Sequence, residues 1–229
     1  MPPFQTFFSS QDWADATARP ALATALGIDP QKLTLCQQVH GNAVAVVTPD
    51  LLGSGAADNS TRLPAADAMI TDVPGAALCI LTADCVPVLL ADPVHHAVAA
   101  IHSGWRGTAA DIVGATLLAM ASAFGTRGED VEAFVGPHIS AAAYTVGDEV
   151  AEQIGRQFAY ADEQGQTHMD LGAAVRSQLS SRGVRRVTEH PDCTYLCPEW
   201  PSWRRDRTLR RMGSVICLLQ NLPDSNRKI

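Results

Sequence analysis

The sequence predicts an α+β fold built from layered, mixed sheets, with residues 1–229 forming one domain. Three observations carry this expectation. Strand-like and helix-like segments interleave, yet many strand-to-strand links are too short to contain a crossover helix. Uninterrupted apolar runs such as Val86-Pro-Val-Leu-Leu-Ala91 suit strands covered on both faces. Finally, 229 residues with 46% apolar and 18% charged side chains can bury a large core, which a disordered chain cannot.

Taken in order, Thr17–Leu26 reads as a short helix, with Pro20 near its start and Gly27 closing it. Leu33–Val39 and Ala43–Thr48 read as strands, and His40-Gly41-Asn42 as a tight connection between them. Asp50–Ala66 is rich in Gly, Ser, Asp and Asn and is expected to be a mobile loop. Ala68–Thr71 and Ala77–Thr82 are strands parted by the turn residues Asp72-Val73-Pro74-Gly75. Val86–Ala91 and Ala97–Ile101 follow, and Pro87 inside the first suggests an edge strand or a bulge.

Thr108–Phe124 is the clearest helix, with Thr108 and Asp111 resembling a capping box and Gly125 at its end. Val131–Val135 is a strand, and Asp148–Phe158 and Leu171–Ser181 are helices. Val184–Thr188 and Val215–Gln220 are late strands, and a frayed tail is expected over about residues 224–229.

The net charge of −7 argues against a general nucleic-acid binder, whose affinity rests on neutralising phosphates. The N-terminus lacks the basic and apolar regions of a secretory leader. Val73–Ala91 has roughly the length of a membrane span, but Pro74, Asp84 and Pro87 interrupt it. A cytoplasmic protein without nucleic-acid or membrane partners is expected. The six cysteines lack C-x-x-C spacing and suit small buried residues, although Cys193 and Cys197 leave a local metal or redox pair open. Arg204, Arg205, Arg207, Arg210 and Arg211 form either a solvated basic edge or an anion site.

His40, Cys85 and His102 each stand where an apolar strand meets a polar or Gly-containing turn. Two imidazoles and a thiolate make a zinc set that leaves the fourth tetrahedral position to water or substrate. Cys85 and His102 equally permit a thiolate nucleophile with a histidine base, and the two readings compete for one sulfur. Ser103-Gly104-Trp105-Arg106-Gly107 joins a strand to the start of the best helix. There, backbone N–H groups and the Arg106 fork suit phosphate or carboxylate. The alternative is a glycine-rich turn with Trp105 in the core. His138, after Gly136-Pro137, can approach the same end of the sheet, and Asp84 is placed to orient a ligand or substrate.

Four segments, Gln37-Gln38-Val39-His40-Gly41-Asn42, Ala66-Asp67-Ala68-Met69-Ile70-Thr71-Asp72, Leu81-Thr82-Ala83-Asp84-Cys85-Val86-Pro87 and His102-Ser103-Gly104-Trp105-Arg106-Gly107, resemble the YfiH family, also called laccase-domain or multicopper polyphenol oxidase-like proteins. Val135-Gly136-Pro137-His138, Tyr144-Thr145-Val146-Gly147, Cys193-Thr194-Tyr195 and Arg204-Arg205-Asp206 extend the resemblance over about residues 18–220. It implies an α/β/β/α layered fold related to a toxin fold with a Cys–His pair, and zinc ligands at His40, Cys85 and His102. It further implies phosphorolysis of adenosine, inosine, guanosine and methylthioadenosine, with adenosine deamination as a second activity.

The family is also linked to editing of peptidoglycan precursors, so a precursor-binding factor is one rival reading. A copper-dependent polyphenol oxidase is the other, although seven histidines without a His-x-His pair support four-electron oxygen reduction poorly. Two departures stand out. The family's Gly-rich, Arg-containing opening segment is shortened here, and its pattern has glycines where this chain has Arg207 and Arg210.

Overall fold

A computed structural model describes residues 2–220, so the expected frayed tail lies outside the described residues. The chain opens with β1 (Phe4–Ser9) and α1 (Arg19–Ala25), then β2 (Leu33–Leu35), β3 (Val44–Val46), β4 (Ala68–Thr71), β5 (Ala77–Thr82), β6 (Val86–Asp92) and β7 (Ala97–Ser103). Next come α2 (Trp105–Ala109), α3 (Ile112–Phe124), β8 (Glu132–Val135), α4 (Asp148–Ile154), β9 (Ala159–Ala161) and β10 (Thr167–Met169). The described chain closes with α5 (Leu171–Ser181), β11 (Arg186–Glu189), α6 (Trp203–Asp206) and β12 (Met212–Leu218).

Among the described residues two large sheets form. One runs β11-β8-β6-β7-β4-β3 and the other β1-β12-β5-β2. Both are mixed, since β3 lies parallel to β4 and β2 to β5 while β6 and β7 are antiparallel. Every residue of β6 and β7 is buried, because alternate side chains enter different layers. Leu89 and Ala100 meet Leu78, Ile80 and Ile216 between the sheets. Leu90 and Ile101 face Ile112 and Leu117 of α3 and Val175 of α5. On the far side, Cys79 and Val215 pack with Trp13 and with Ala23 of α1. The order is therefore α/β/β/α, as expected. Leu90→Ala should lower unfolding free energy by about 3 kcal/mol, read from a urea melt, because this central strand cannot collapse into the void.

Several boundaries differ from expectation for physical reasons. β6 is central and not an edge; Pro87 is tolerated because β8 pairs only from Val88 onward. The predicted Thr108–Phe124 helix breaks at Asp111, whose φ of 54° is left-handed and whose carboxylate caps Gly114 N–H at 3.1 Å. Thr108 instead belongs to α2 and bonds the Gly104 carbonyl. The Asp50–Ala66 loop carries turns at Pro49–Leu51 and Asn59–Thr61 and buries Ala56, Leu63 and Ala66.

Most consequential is the connection through His40. β2 and β3 are not neighbours but lie in different sheets, so residues 36–43 pass from one layer to the other. Residues 83–85 make the same passage between β5 and β6. Each crossing contains a non-glycine residue with positive φ, His40 at 61° and Asp84 at 89°. Such geometry is costly and persists only where surrounding contacts enforce it.

Candidate metal centre and its cavity

The two crossings and the end of β7 converge on one point. His40, Cys85 and His102 place one donor atom each within 4.8 Å of one another. Strand register explains the convergence: Val86 pairs with Ser103, which brings Cys85 beside Gly104 and His102. Ala68 pairs with Ile101, which sets Asp67 opposite His102.

Asp67 is fully buried and organises the group. Its carboxylate accepts N–H bonds from Val39, His40 and Gly41 at 3.2, 2.9 and 2.7 Å. It also lies 2.8 Å from His102 Nδ1, which fixes that ring's tautomer and leaves Nε2 free as the donor. Burial pushes the Asp67 carboxyl up, but the His102 bond and the Gly41 and His40 amides outweigh it and hold the group below its usual range. Asp67 thus enforces the left-handed turn at His40 and aims His102 in the same contact.

Burial would raise the Cys85 thiol, yet His102 and His40 bring it down to about 6. Burial would likewise lower His102, yet the Cys85 thiolate and Asp67 raise it to about 9. Without metal, the pair at neutral pH is thiolate and imidazolium. Cys85 in metal-free protein should therefore be alkylated by iodoacetamide with a midpoint near pH 6, reactivity falling below it. Bound zinc should abolish the reaction, and mass spectrometry of the Cys85 peptide reads both.

The donor set suits a divalent ion of intermediate softness, since imidazole and thiolate are its preferred ligands. The backbone makes room for it. A Cβ on Gly104 would stand 3.1 Å from His40 Cδ2 and 3.2 Å from Cys85 Sγ. Gly104→Ala should weaken zinc affinity by about tenfold, as measured by competition with a chelator, with little change in melting temperature.

The group opens on a cavity of about 760 Å³ lined by Arg62, Arg106, Arg204 and Arg211 against one carboxylate, Asp84. Trp105, Tyr144 and Trp203 supply aromatic faces. Arg106 stacks on Trp105 at 4.1 Å and Arg204 on Tyr144 at 5.1 Å. Burial first, then the Cys85 thiolate, pushes the Tyr144 hydroxyl up to about 12, so it stays a neutral donor.

The other expected residues divide. Arg106 lines the cavity, and Gly104 lies against His40 and Cys85. Asp84 lines the cavity, but its two oxygens are held by Thr194 Oγ1 at 2.7 Å and the Arg204 amide at 2.6 Å. It anchors the Arg204 segment. Ser103 is buried against Thr108 at 2.9 Å, and Gly107 packs beneath the Gly41 carbonyl. His138 turns to a separate pocket of about 200 Å³, its Nδ1 bonded to the Gly136 carbonyl. The anion turn adjoins only the five-residue α2, while α3 starts farther on and is capped by Asp111.

The arginine cluster splits too: Arg204 and Arg211 face the cavity, and Arg205 ties down the carbonyls of Thr194, Tyr195 and Trp200. Arg207 takes a left-handed φ of 53°, a geometry that favours glycine, and stacks on Trp203 at 5.5 Å. Cys193 accepts the Ser140 N–H at 3.2 Å and, among the described residues, joins no metal-ligand group.

The layered fold and the sequence both match a known group. The sequence profile described as multi-copper polyphenol oxidoreductase laccase matches residues 8–219. The chain belongs to the YfiH family. YfiH of Bacillus licheniformis superposes with a TM-score of 0.84 at 31% identity, over 89% of this chain and 80% of that one. YlmD of Geobacillus stearothermophilus does so with a TM-score of 0.84 at 32% identity and the same coverage. A Bacteroides thetaiotaomicron protein named purine nucleoside phosphorylase is 43% identical over 73% of this chain, a match spanning 65% of that protein. One from Streptomyces coelicolor with the same activity in its name is 37% identical over 87% of this chain and 81% of its own length. Among the described residues of this YfiH-family chain, no helix is long and apolar enough to cross a membrane.

Proposed function

We propose that this chain is a cytoplasmic, zinc-dependent purine nucleoside phosphorylase. It would cleave adenosine, inosine, guanosine and methylthioadenosine with phosphate, and deaminate adenosine as a lesser activity. The observation that carries the reading is the meeting of His40, Cys85 and His102 with an arginine-rich, aromatic-walled cavity. The names of the two relatives point the same way.

In phosphorolysis a phosphate oxygen bonds to ribose C1′ as the bond from C1′ to the base nitrogen breaks. The electron pair leaves with the purine, which takes up a proton. His40, Cys85 and His102 would hold a metal ion, which would supply Lewis-acid polarisation of a substrate oxygen or nitrogen. Arg106 and Arg204 bind and orient the phosphate. Trp105 and Tyr144 flank the base, and the protonated Tyr144 hydroxyl donates towards it. Asp84 keeps Arg204 in place through its main-chain amide. Asp67 maintains the protonation and aim of His102.

A four-copper oxidase fits less well. Among the described residues, His40, Cys85 and His102 are the one convergent group, with donors for a single ion. Chromatography of adenosine reactions separates the activities. Phosphate-dependent adenine marks phosphorolysis, and phosphate-independent inosine with ammonia marks deamination. Adenine output exceeding inosine by about tenfold is expected in millimolar phosphate. Inosine alone would replace the phosphorylase assignment with a deaminase.

A further inference from the structure

Among the described residues, Arg62 is a charge without a partner. It comes from the loop before β4, lines the cavity, and makes no ion pair among the described residues. Its Nε is buried and, among the described residues, lacks any hydrogen-bond acceptor. Gly55 lies beneath its stem, where a Cβ would come within 2.7 Å of Arg62 Cγ, so the backbone is shaped to admit this side chain. The second guanidinium nearby, Arg19, is fully buried and already satisfied by the carbonyls of Trp13, Ala14 and Gly55 and by Asn59 Oδ1. Because Asn59 Oδ1 is taken by Arg19, its amide N–H groups are what it can offer the cavity. Burial first, then the charge of Arg62, lowers Arg19, and burial lowers Arg62 itself. A half-buried cation that no carboxylate compensates is costly unless an anion joins it.

Arg211 lines the same cavity, and its Nη1 is occupied by the Thr208 and Arg210 carbonyls, which holds the side chain in place. Neither Arg62 nor Arg211 is among the residues assigned above to inorganic phosphate, which are Arg106 and Arg204. The cavity, about 760 Å³, lies in the upper part of the roughly 300–1,000 Å³ range of small-molecule sites. A nucleoside and one phosphate leave room within it.

We propose that Asn59, Arg62 and Arg211 form a second anion subsite that takes the phosphate ester of a nucleoside 5′-monophosphate. The inference rests on the nucleoside reading of the cavity and extends its substrate class from neutral nucleosides to nucleotides.

The test is calorimetric titration of the zinc-loaded full chain with inosine and with inosine 5′-monophosphate, both in phosphate-free buffer, where neither ligand is phosphorolysed or deaminated and no free phosphate competes for the subsite. The monophosphate should bind at least about tenfold more tightly, the worth of one well-made charged contact. Arg62→Gln should bring the two ligands to parity while inosine affinity stays within about twofold. Arg211→Gln provides the same comparison should Arg62→Gln fail to fold, and should at least halve the monophosphate's advantage.

Equal affinity of the wild-type protein for both ligands overturns the subsite while leaving the phosphorylase reading intact. Titration with inorganic phosphate alone that reveals two sites, one lost in Arg62→Gln, together with no preference for the monophosphate, assigns the subsite to free phosphate and overturns the ester. Binding of neither ligand overturns both readings.

Discussion

Cys85→Ser is expected to leave the protein folded but unable to retain zinc through gel filtration, and to cut phosphorolysis by about a thousandfold or more. The sulfur is the only soft donor in the His40–Cys85–His102 group, and a neutral serine hydroxyl does not replace a thiolate at neutral pH. Loss of several kcal/mol of charge stabilisation corresponds to about three orders of magnitude in rate. The fold should survive because Cys85 sits at the rim of the sheets, outside the packed clusters around Leu90, Leu89 and Cys79. Zinc content by atomic absorption and base release by chromatography check the prediction together. A Cys85→Ser protein that keeps both would remove the metal from the site.

Asp67→Asn should carry the second large effect, on stability and on metal affinity at once. Both carboxylate oxygens face N–H donors: Oδ1 receives His40 N–H and faces His102 Nδ1, and Oδ2 receives Val39 and Gly41. Whichever way the amide is turned, its NH₂ group meets another donor in a fully buried position. A cost of about 3 kcal/mol is expected from the lost and reversed bonds. Freed from Asp67, the left-handed turn at His40 relaxes and His102 loses its fixed tautomer, which should weaken zinc binding by about 10–100-fold. Thermal melts in excess chelator isolate the first effect, and competition titration isolates the second. Asp67→Asn that melts normally and binds zinc normally would show that the contact is incidental.

How far the sequence reveals this site follows from where its information is local. His40, Cys85 and His102 are legible because each interrupts an apolar strand, and the fully buried strands β4–β7 advertise themselves by composition. Pairing is less legible. Leu33–Val39 and Ala43–Thr48 adjoin in sequence, yet the intervening residues switch sheets, and only the assembled layers reveal it.

Asp67 gives no local sign of its role, because its contact with His102 depends on the register of β4 against β7. Arg62 and Tyr144 from two loops and Arg204 from the short helix α6 reach one cavity, a convergence that spacing does not encode. β1 is hidden for another reason. Phe4–Ser9 is an edge strand of mostly half-buried residues, and its pairing with β12 joins the two ends of the chain. Asp111 shows how one backbone angle overrides a pattern, since its left-handed φ ends α2's turn and begins α3 where periodicity suggests one helix.

The most direct measurement is a zinc titration of metal-free protein in inosine and phosphate, following hypoxanthine and ribose 1-phosphate against bound metal. Equimolar release of the two products, rising in proportion to zinc up to one ion per chain and absent without phosphate, is the expected result. Equal hypoxanthine release by metal-free protein, by His40→Ala, or in phosphate-free buffer would contradict it.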